Sequence, residues 1–198
     1  MARSSKLQAV VDRLAEAFDK AEVSAPGRMA LERVFGRLAG SVGTAPVTEP
    51  GEPLPNSALF AAALAPLLTR ADALAPLANA LATLAPSLVW TTRKSIGPTA
   101  SPGFAGAHAN AMLIGPGSLE PREDVWVGLS LMTANTRYPD HDHTPEEVYL
   151  VLSCGAFLQG EAGWLERKPG DTVYNTPGIR HAMRAGDQPF LALWCLPV

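Results

Sequence analysis

The chain has 198 residues, 47% of them hydrophobic, and a formal net charge of −3 at pH 7. That length fits one domain, or one domain with a substantial extension, and the apolar fraction is enough for a proper core. The weakly acidic balance argues against nucleic acid or an anionic membrane as a partner.

The opening Met1 to Lys6 has no apolar core of the signal-peptide kind and leads straight into an amphipathic pattern. Leu7, Val10, Val11, Leu14 and Phe18 recur at three- and four-residue spacing, which predicts a helix. Met29, Leu31, Val34, Phe35 and Leu38 predict a second, ended near Gly40. Residues 41–56, rich in Pro, Gly and Thr, read as a loop, and Ser57 as the N-cap of a third helix. A Leu-Ala-Pro triplet then recurs at 64–66, 74–76 and 84–86. Three copies in one Ala/Leu-rich stretch do not make a solenoid. The expectation is that each proline, lacking a backbone donor, punctuates short helices. The longest apolar stretch, Ala58 to Leu68, is too short to span a bilayer and contains Pro66. A soluble cytoplasmic protein is expected.

From about Val89 the pattern changes. Val125–Thr133, Glu146–Leu152, Ala156–Gln159, Gly163–Glu166, Thr172–Tyr174 and Phe190–Leu196 read as strands, short and separated by Gly, Pro, Asn or Asp. That rhythm favours a sandwich or barrel. Residues 97–110 are dominated by small side chains without a period and read as a loop, either ordinary surface or a lid at the barrel mouth, with His108 a loop residue. The two cysteines, Cys154 and Cys195, sit in apolar runs and are expected to be buried free thiols. The fold class is mainly β with α: a helical segment over 1–88 packed on a small β-barrel over 89–198.

Two clusters carry chemistry. Tyr138-Pro-Asp-His141-Asp-His143-Thr-Pro-Glu-Glu147-Val-Tyr149 supplies two imidazoles and a carboxylate, and Gly170 to His181 supplies a third imidazole. Such a set suits a divalent ion of the Zn, Fe, Mn, Co or Ni kind, and the ligands alone do not choose among them. Strand side chains alternate faces, so Glu147, Tyr149 and Val151 share one face and Val148, Leu150 and Leu152 the other. His141 and His143 both face inward if their segment is extended, with Asp140 and Asp142 outward. His181 and Met183 share a face at the start of a later strand, and Gly178 permits a tight turn before it. A charged Glu on an inner face is costly without a partner, which favours a bound cation.

His141-Asp-His143-Thr-Pro-Glu-Glu147 with Gly155 resembles the first motif of the cupin superfamily. Gly170 to His181, with Gly178 in register, is similar to the second. Gly155 stands one residue late, Thr176 takes the usual proline position, and Ala185 stands where an asparagine is common. Tyr138, Tyr149 and a helical half before the barrel sharpen the resemblance to DddQ-type dimethylsulfoniopropionate lyases. The resemblance implies a cupin barrel or jelly roll and a divalent metal held by His143, Glu147 and His181, with Tyr149 at or near it. It also implies that His141 lines the site and that Tyr138 binds substrate or takes part in catalysis.

On that reading the reaction expels dimethyl sulfide from dimethylsulfoniopropionate and leaves acrylate. Tyr149 is the first choice of base and Tyr138 the second. A sulfonium sits well over aromatic faces, and Trp126, Trp164, Phe157 and Trp194 are the candidates, Trp126 and Trp194 foremost. Two rivals stay open. One is a cupin dioxygenase using His141, His143, Glu147 and His181 on iron; the other is a non-enzymatic cupin that binds a small molecule. The expected partner is a small-molecule substrate, and a homo-oligomer is left open.

Overall fold

The computed structural model describes residues 3–40, 57–93 and 97–198. The loop expected over 41–56 and the capping role expected of Ser57 lie outside the described features. Helix α1 (Ser5–Lys20) starts where the Ser4 hydroxyl accepts from the Leu7 N–H, 3.3 Å away, satisfying one of the first-turn donors. It buries Leu7, Val10, Val11, Leu14 and Phe18 on one face. Helix α2 (Ala25–Gly40) buries Leu31, Val34 and Leu38, while Met29, grouped with that face by its spacing, is exposed. Helices α3 (Ser57–Leu68) and α4 (Leu74–Leu84) follow, then a 3₁₀ turn over Ala85–Ser87. Pro76 falls in the first turn of α4 and Pro86 in the 3₁₀ turn, where no intrahelical donor is lost. Pro66 differs from expectation: it lies inside α3, near its end, rather than separating helices.

Among the described residues ten strands and one short helix follow: β1 (Trp90–Thr91), α5 (Phe104–Ala107), β2 (His108–Ile114), β3 (Val125–Met132), β4 (Arg137–His141), β5 (Glu147–Val151), β6 (Gly155–Gln159), β7 (Trp164–Arg167), β8 (Thr172–Asn175), β9 (His181–Ala185) and β10 (Phe190–Pro197). All pair antiparallel, in a six-stranded sheet ordered β1-β2-β3-β10-β5-β8 and a four-stranded sheet ordered β4-β9-β6-β7.

Strand alternation sorts the six-stranded sheet into two faces. Leu129, Leu131, Val148, Leu150, Leu193 and Cys195 pack with the buried faces of the helices. Met132, Tyr149, Val151, Val173, Phe190 and Ala192 pack instead with Tyr138, Phe157 and Met183 of the other sheet. The result is a helical layer on a two-sheet sandwich, the class expected. Each large apolar side chain buried here contributes about 1.5–3 kcal/mol before entropy is counted.

A buried ionic strap fixes the helices to the sheet. Arg3 Nε lies 2.5 Å from Glu120 Oε2, and Arg122 Nη1 lies 3.3 Å from Glu120 Oε1. Arg37 Nη1 donates to the carbonyls of Asp124 (2.6 Å) and Val198 (3.0 Å). Buried charges of this kind persist only when paired.

Three expectations are corrected. Residues 97–110 are not all loop, since α5 and the start of β2 fall within them. His108 opens β2 and is buried; its Nε2 accepts from the Arg93 N–H (2.8 Å), its Nδ1 donates to the Phe104 carbonyl (2.7 Å), and its ring stacks on Phe104. Cys195 is a buried free thiol, but Cys154 is exposed because it lies in the turn between β5 and β6.

Candidate active site

The candidate ligands come from three strands and a loop, spread over both sheets. His141 ends β4 and pairs in register with His181, the first residue of β9. Glu147 opens β5 in the facing sheet. His143 lies just past β4, and its carbonyl accepts from the Gly178 N–H at 2.9 Å, docking that loop on the turn before β9. Gly178 takes φ +70°, the left-handed conformation that glycine tolerates. The site closes across the sandwich, from both sheets.

One ring nitrogen each of His141, His143 and His181 falls within 4.8 Å of the others. The orientation of the rings is set locally. His141 Nδ1 meets the Pro139 carbonyl at 2.9 Å, His143 Nδ1 the Pro145 carbonyl at 2.8 Å and His181 Nδ1 the Ile179 carbonyl at 2.9 Å. A carbonyl can only accept, so each Nδ1 carries the proton and each neutral ring keeps its lone pair on Nε2.

Glu147 Oε2 stands 3.3 Å from both His143 Nε2 and His181 Nε2. His181 Nε2 is buried and makes no hydrogen bond. Imidazole lone pairs aimed at a carboxylate repel it unless a cation lies among them. Ligand atoms about 2.0–2.2 Å from a tetrahedral divalent ion stand about 3.3 Å apart, so the donor set and its spacing fit a metal. Asn175 Nδ2 donates to Glu147 Oε2 at 3.1 Å, and Gln159 Nε2 holds Asn175 Oδ1 at 2.7 Å, fixing which way that amide faces.

Glu147 needs positive charge beside it, from a metal or from proton-bearing rings. Burial pushes its carboxyl up, and with no metal it is hydrogen bonding to the His143 and His181 rings that outweighs burial and holds it at about 2. The Glu147 carboxylate raises the His143 imidazole above its usual value. His141 is lowered to about 4, first by burial and then by His181. Tyr149, fully buried, is pushed well above the ordinary phenol value by burial and next by Glu147.

A cavity of about 210 Å³ opens on this cluster, and every residue lining it lies between Arg93 and Leu196. Trp126, Trp194, Tyr138, Tyr149, His141 and His143 all line it. Trp164 and Phe157 do not. Trp164 is covered by the Arg137 and Arg184 guanidinium groups, 5.2 and 4.7 Å from its ring centroid, and Phe157 packs in the core between the sheets. Sequence reasoning missed Arg93, Asn110, Met112 and Ser130 in the lining.

A family profile described as dimethylsulfoniopropionate lyase matches residues 26–192, most of the chain. The chain belongs to the dimethylsulfoniopropionate lyase family. This is a family of carbon–sulfur lyases. The chain is 30% identical to a putative dimethylsulfoniopropionate lyase, DddL of Cereibacter sphaeroides, over 166 residues, 83% of this chain and 68% of that protein. It is 35% identical to the dimethylsulfoniopropionate lyase DddQ of Ruegeria pomeroyi over 91 residues, 46% of this chain but only 45% of DddQ. The crystal structure of DddQ from Ruegeria pomeroyi superposes with a TM-score of 0.66 at 27% identity, covering 96% of this chain and 92% of that one. A structure described with the DMSP lyases RdDddP and RnDddQII gives a TM-score of 0.69 at 22% identity over 100% of this chain and 94% of that one, a likeness of fold. Among the described residues of this lyase-family chain no helix is long and apolar enough to cross a membrane.

Proposed function

We propose that this chain is a metal-dependent lyase cleaving dimethylsulfoniopropionate to dimethyl sulfide and acrylate by base-promoted β-elimination. The observation that carries the metal requirement is the placement of Glu147 Oε2 3.3 Å from Nε2 of both His143 and His181. His143, Glu147 and His181 would hold a divalent ion, Zn, Fe, Mn, Co or Ni, with Tyr149 at its margin and His141 lining the site. Such an ion supplies Lewis acidity to offset charge developing on the substrate carboxylate.

The reaction balances without an oxidant. A base takes a proton from the carbon next to the carboxylate, and the electron pair becomes the carbon–carbon double bond. The carbon–sulfur bond breaks, and its pair leaves on sulfur as neutral dimethyl sulfide. Tyr149 is the base in this reading. It shares the inner face of β5 with Glu147, and its hydroxyl keeps its proton unless positive charge sits close by. Tyr138 holds the substrate and is the alternative base. Trp126 and Trp194 offer aromatic faces to the sulfonium, which is poorly hydrated and well accommodated there.

The deciding experiment incubates metal-loaded protein with dimethylsulfoniopropionate and measures dimethyl sulfide in the headspace. Release dependent on the loaded metal supports the reading; none with any of the five metals sinks it. A second reading, an iron dioxygenase, draws on the grouping of His141 with His143 and His181, which allows a three-His, one-Glu set. Oxygen uptake with a thiol or diketone, without dimethyl sulfide, would favour it.

A further inference from the structure

A chain of polar side chains crosses the floor of the cavity and ends on Tyr138. Trp194 Nε1, on β10, lies 3.2 Å from Ser130 Oγ on β3. Ser130 Oγ lies 2.9 Å from Asn110 Oδ1 on β2. Asn110 Nδ2 lies 3.3 Å from the hydroxyl of Tyr138, on β4 in the other sheet. The chain therefore links three neighbouring strands of one sheet to the facing sheet.

Its direction follows from the orientation of the Asn110 amide. An indole N–H only donates, so Ser130 Oγ accepts from Trp194. Asn110 turns Oδ1 to the Ser130 hydroxyl, which donates to it, and its N–H groups to Tyr138. The Tyr138 oxygen thus accepts, and its own proton is directed away from Asn110. The backbone is shaped for this. A Cβ at Gly128 would lie 2.3 Å from Trp194 Cζ2, so only glycine lets the indole lie across β3 and reach Ser130.

The Tyr138 end of the cavity is also the cationic end. Arg93 Cζ stands 5.6 Å from the Tyr138 ring centroid, and Arg93 lines the same cavity. Positive charge there favours a carboxylate and disfavours a sulfonium.

We infer that Trp194, Ser130 and Asn110 form a hydrogen-bond relay that holds the Tyr138 hydroxyl as a donor to the substrate carboxylate, with Asn110 the positioning residue. The inference deepens the lyase reading and rests on it. It sets the substrate's polarity: carboxylate toward Tyr138 and Arg93, sulfonium toward the indole faces. A carboxylate has two oxygens, so accepting from Tyr138 leaves the other available.

The test is a double-mutant cycle on metal-loaded protein with two readouts: kcat and KM for dimethylsulfoniopropionate, and the calorimetric Kd of acrylate. Asn110→Leu removes both polar ends at similar size. It is expected to raise KM and the acrylate Kd about five- to tenfold, as loss of a hydrogen bond to a charged group does, with a smaller change in kcat. Tyr138→Phe is expected to do the same. The double variant is expected to match Tyr138→Phe alone, because Asn110 acts through that hydroxyl. Ser130→Ala runs the same cycle if Asn110→Leu fails to fold. Multiplying effects in the cycle, an unchanged acrylate Kd in both single variants, or no acrylate binding by the unmodified chain would each overturn the relay. The acrylate cycle stands even if no dimethyl sulfide is released, so a failed lyase reading is told apart from a failed relay.

Discussion

His141 and His181 face each other across the β4–β9 register pair with ring centroids 4.1 Å apart. Two imidazoles so close cannot both be charged at little cost; burial first, and His181 next, lower the His141 pKa. The pair thus separates its roles: His181 turns a bare, buried Nε2 toward Glu147, and His141 lines the cavity beside it.

The first prediction is metal content. His143→Ala, Glu147→Ala and His181→Ala are each expected to abolish or strongly weaken metal retention, and His141→Ala to be milder. Elemental analysis of purified variants measures this. Full occupancy in the His181→Ala protein would rule out the site as drawn.

The second concerns pH and the metal-free protein. His141 has a folded pKa of about 4, below the ordinary imidazole value of about 6.5. Between those values the unfolded chain takes up a proton that the folded chain does not. Stability from this group is therefore complete above pH ~6.5 and is lost as pH falls toward ~4. The raised His143 runs the other way: its contribution is present below the unfolded value and lost as pH rises through the folded one. Comparing urea midpoints of the unmodified chain and His141→Gln at pH 7 and pH 5 isolates the His141 term. The unmodified chain is expected to lose on the order of 1–3 kcal/mol more. Equal losses would refute it.

The third tests the base. Tyr149→Phe keeps the ring and its packing and removes the hydroxyl. A fall in kcat of ~10²–10⁴-fold is expected, with metal retained by the other ligands. Tyr138→Phe is expected to act more on KM than on kcat. A metal-replete Tyr149→Phe enzyme with near-normal dimethyl sulfide release would move the base to Tyr138.

The fourth concerns the helical half. Deleting residues 1–88 would uncover Leu129, Val148, Leu150, Leu193 and Cys195 on the outer face of the six-stranded sheet. An apolar patch of that kind drives association, so the truncated chain is expected to aggregate. Size-exclusion chromatography reads the result; a monodisperse, fully active barrel would show that the halves are independent.

The fold was legible wherever burial follows a simple period. Helix α1 declares itself by its repeat, and β5 by its alternation. Strand β2 did not, because the face it turns to the cavity carries Asn110 and Met112, and the small residues before it have no period. His108 has no local mark of its burial either: its partners, Phe104 and the Arg93 backbone, are close only once the chain has turned back on itself. The histidine and glutamate cluster was visible in spacing alone. Asn175 and Gln159, which orient Glu147, carry no local mark, since Asn175 meets it only through β5–β8 pairing and Gln159 reaches Asn175 from β6 of the other sheet.

The six-stranded sheet is one wall with two tenants. On β5 every second side chain belongs to the helices and the others to the space between the sheets, where Glu147 and Tyr149 line the cavity. A slip of β5 by one residue would push Glu147 and Tyr149 into the greasy seam under α2 and bring Val148 and Leu150 to the histidines. The apolar grip of the helices on Val148 and Leu150 is therefore also what keeps the carboxylate indexed to its imidazoles. Conservative trimming on the helical side, far from any substrate atom, would be felt first as a loosened fit between Glu147 and the two histidines it meets.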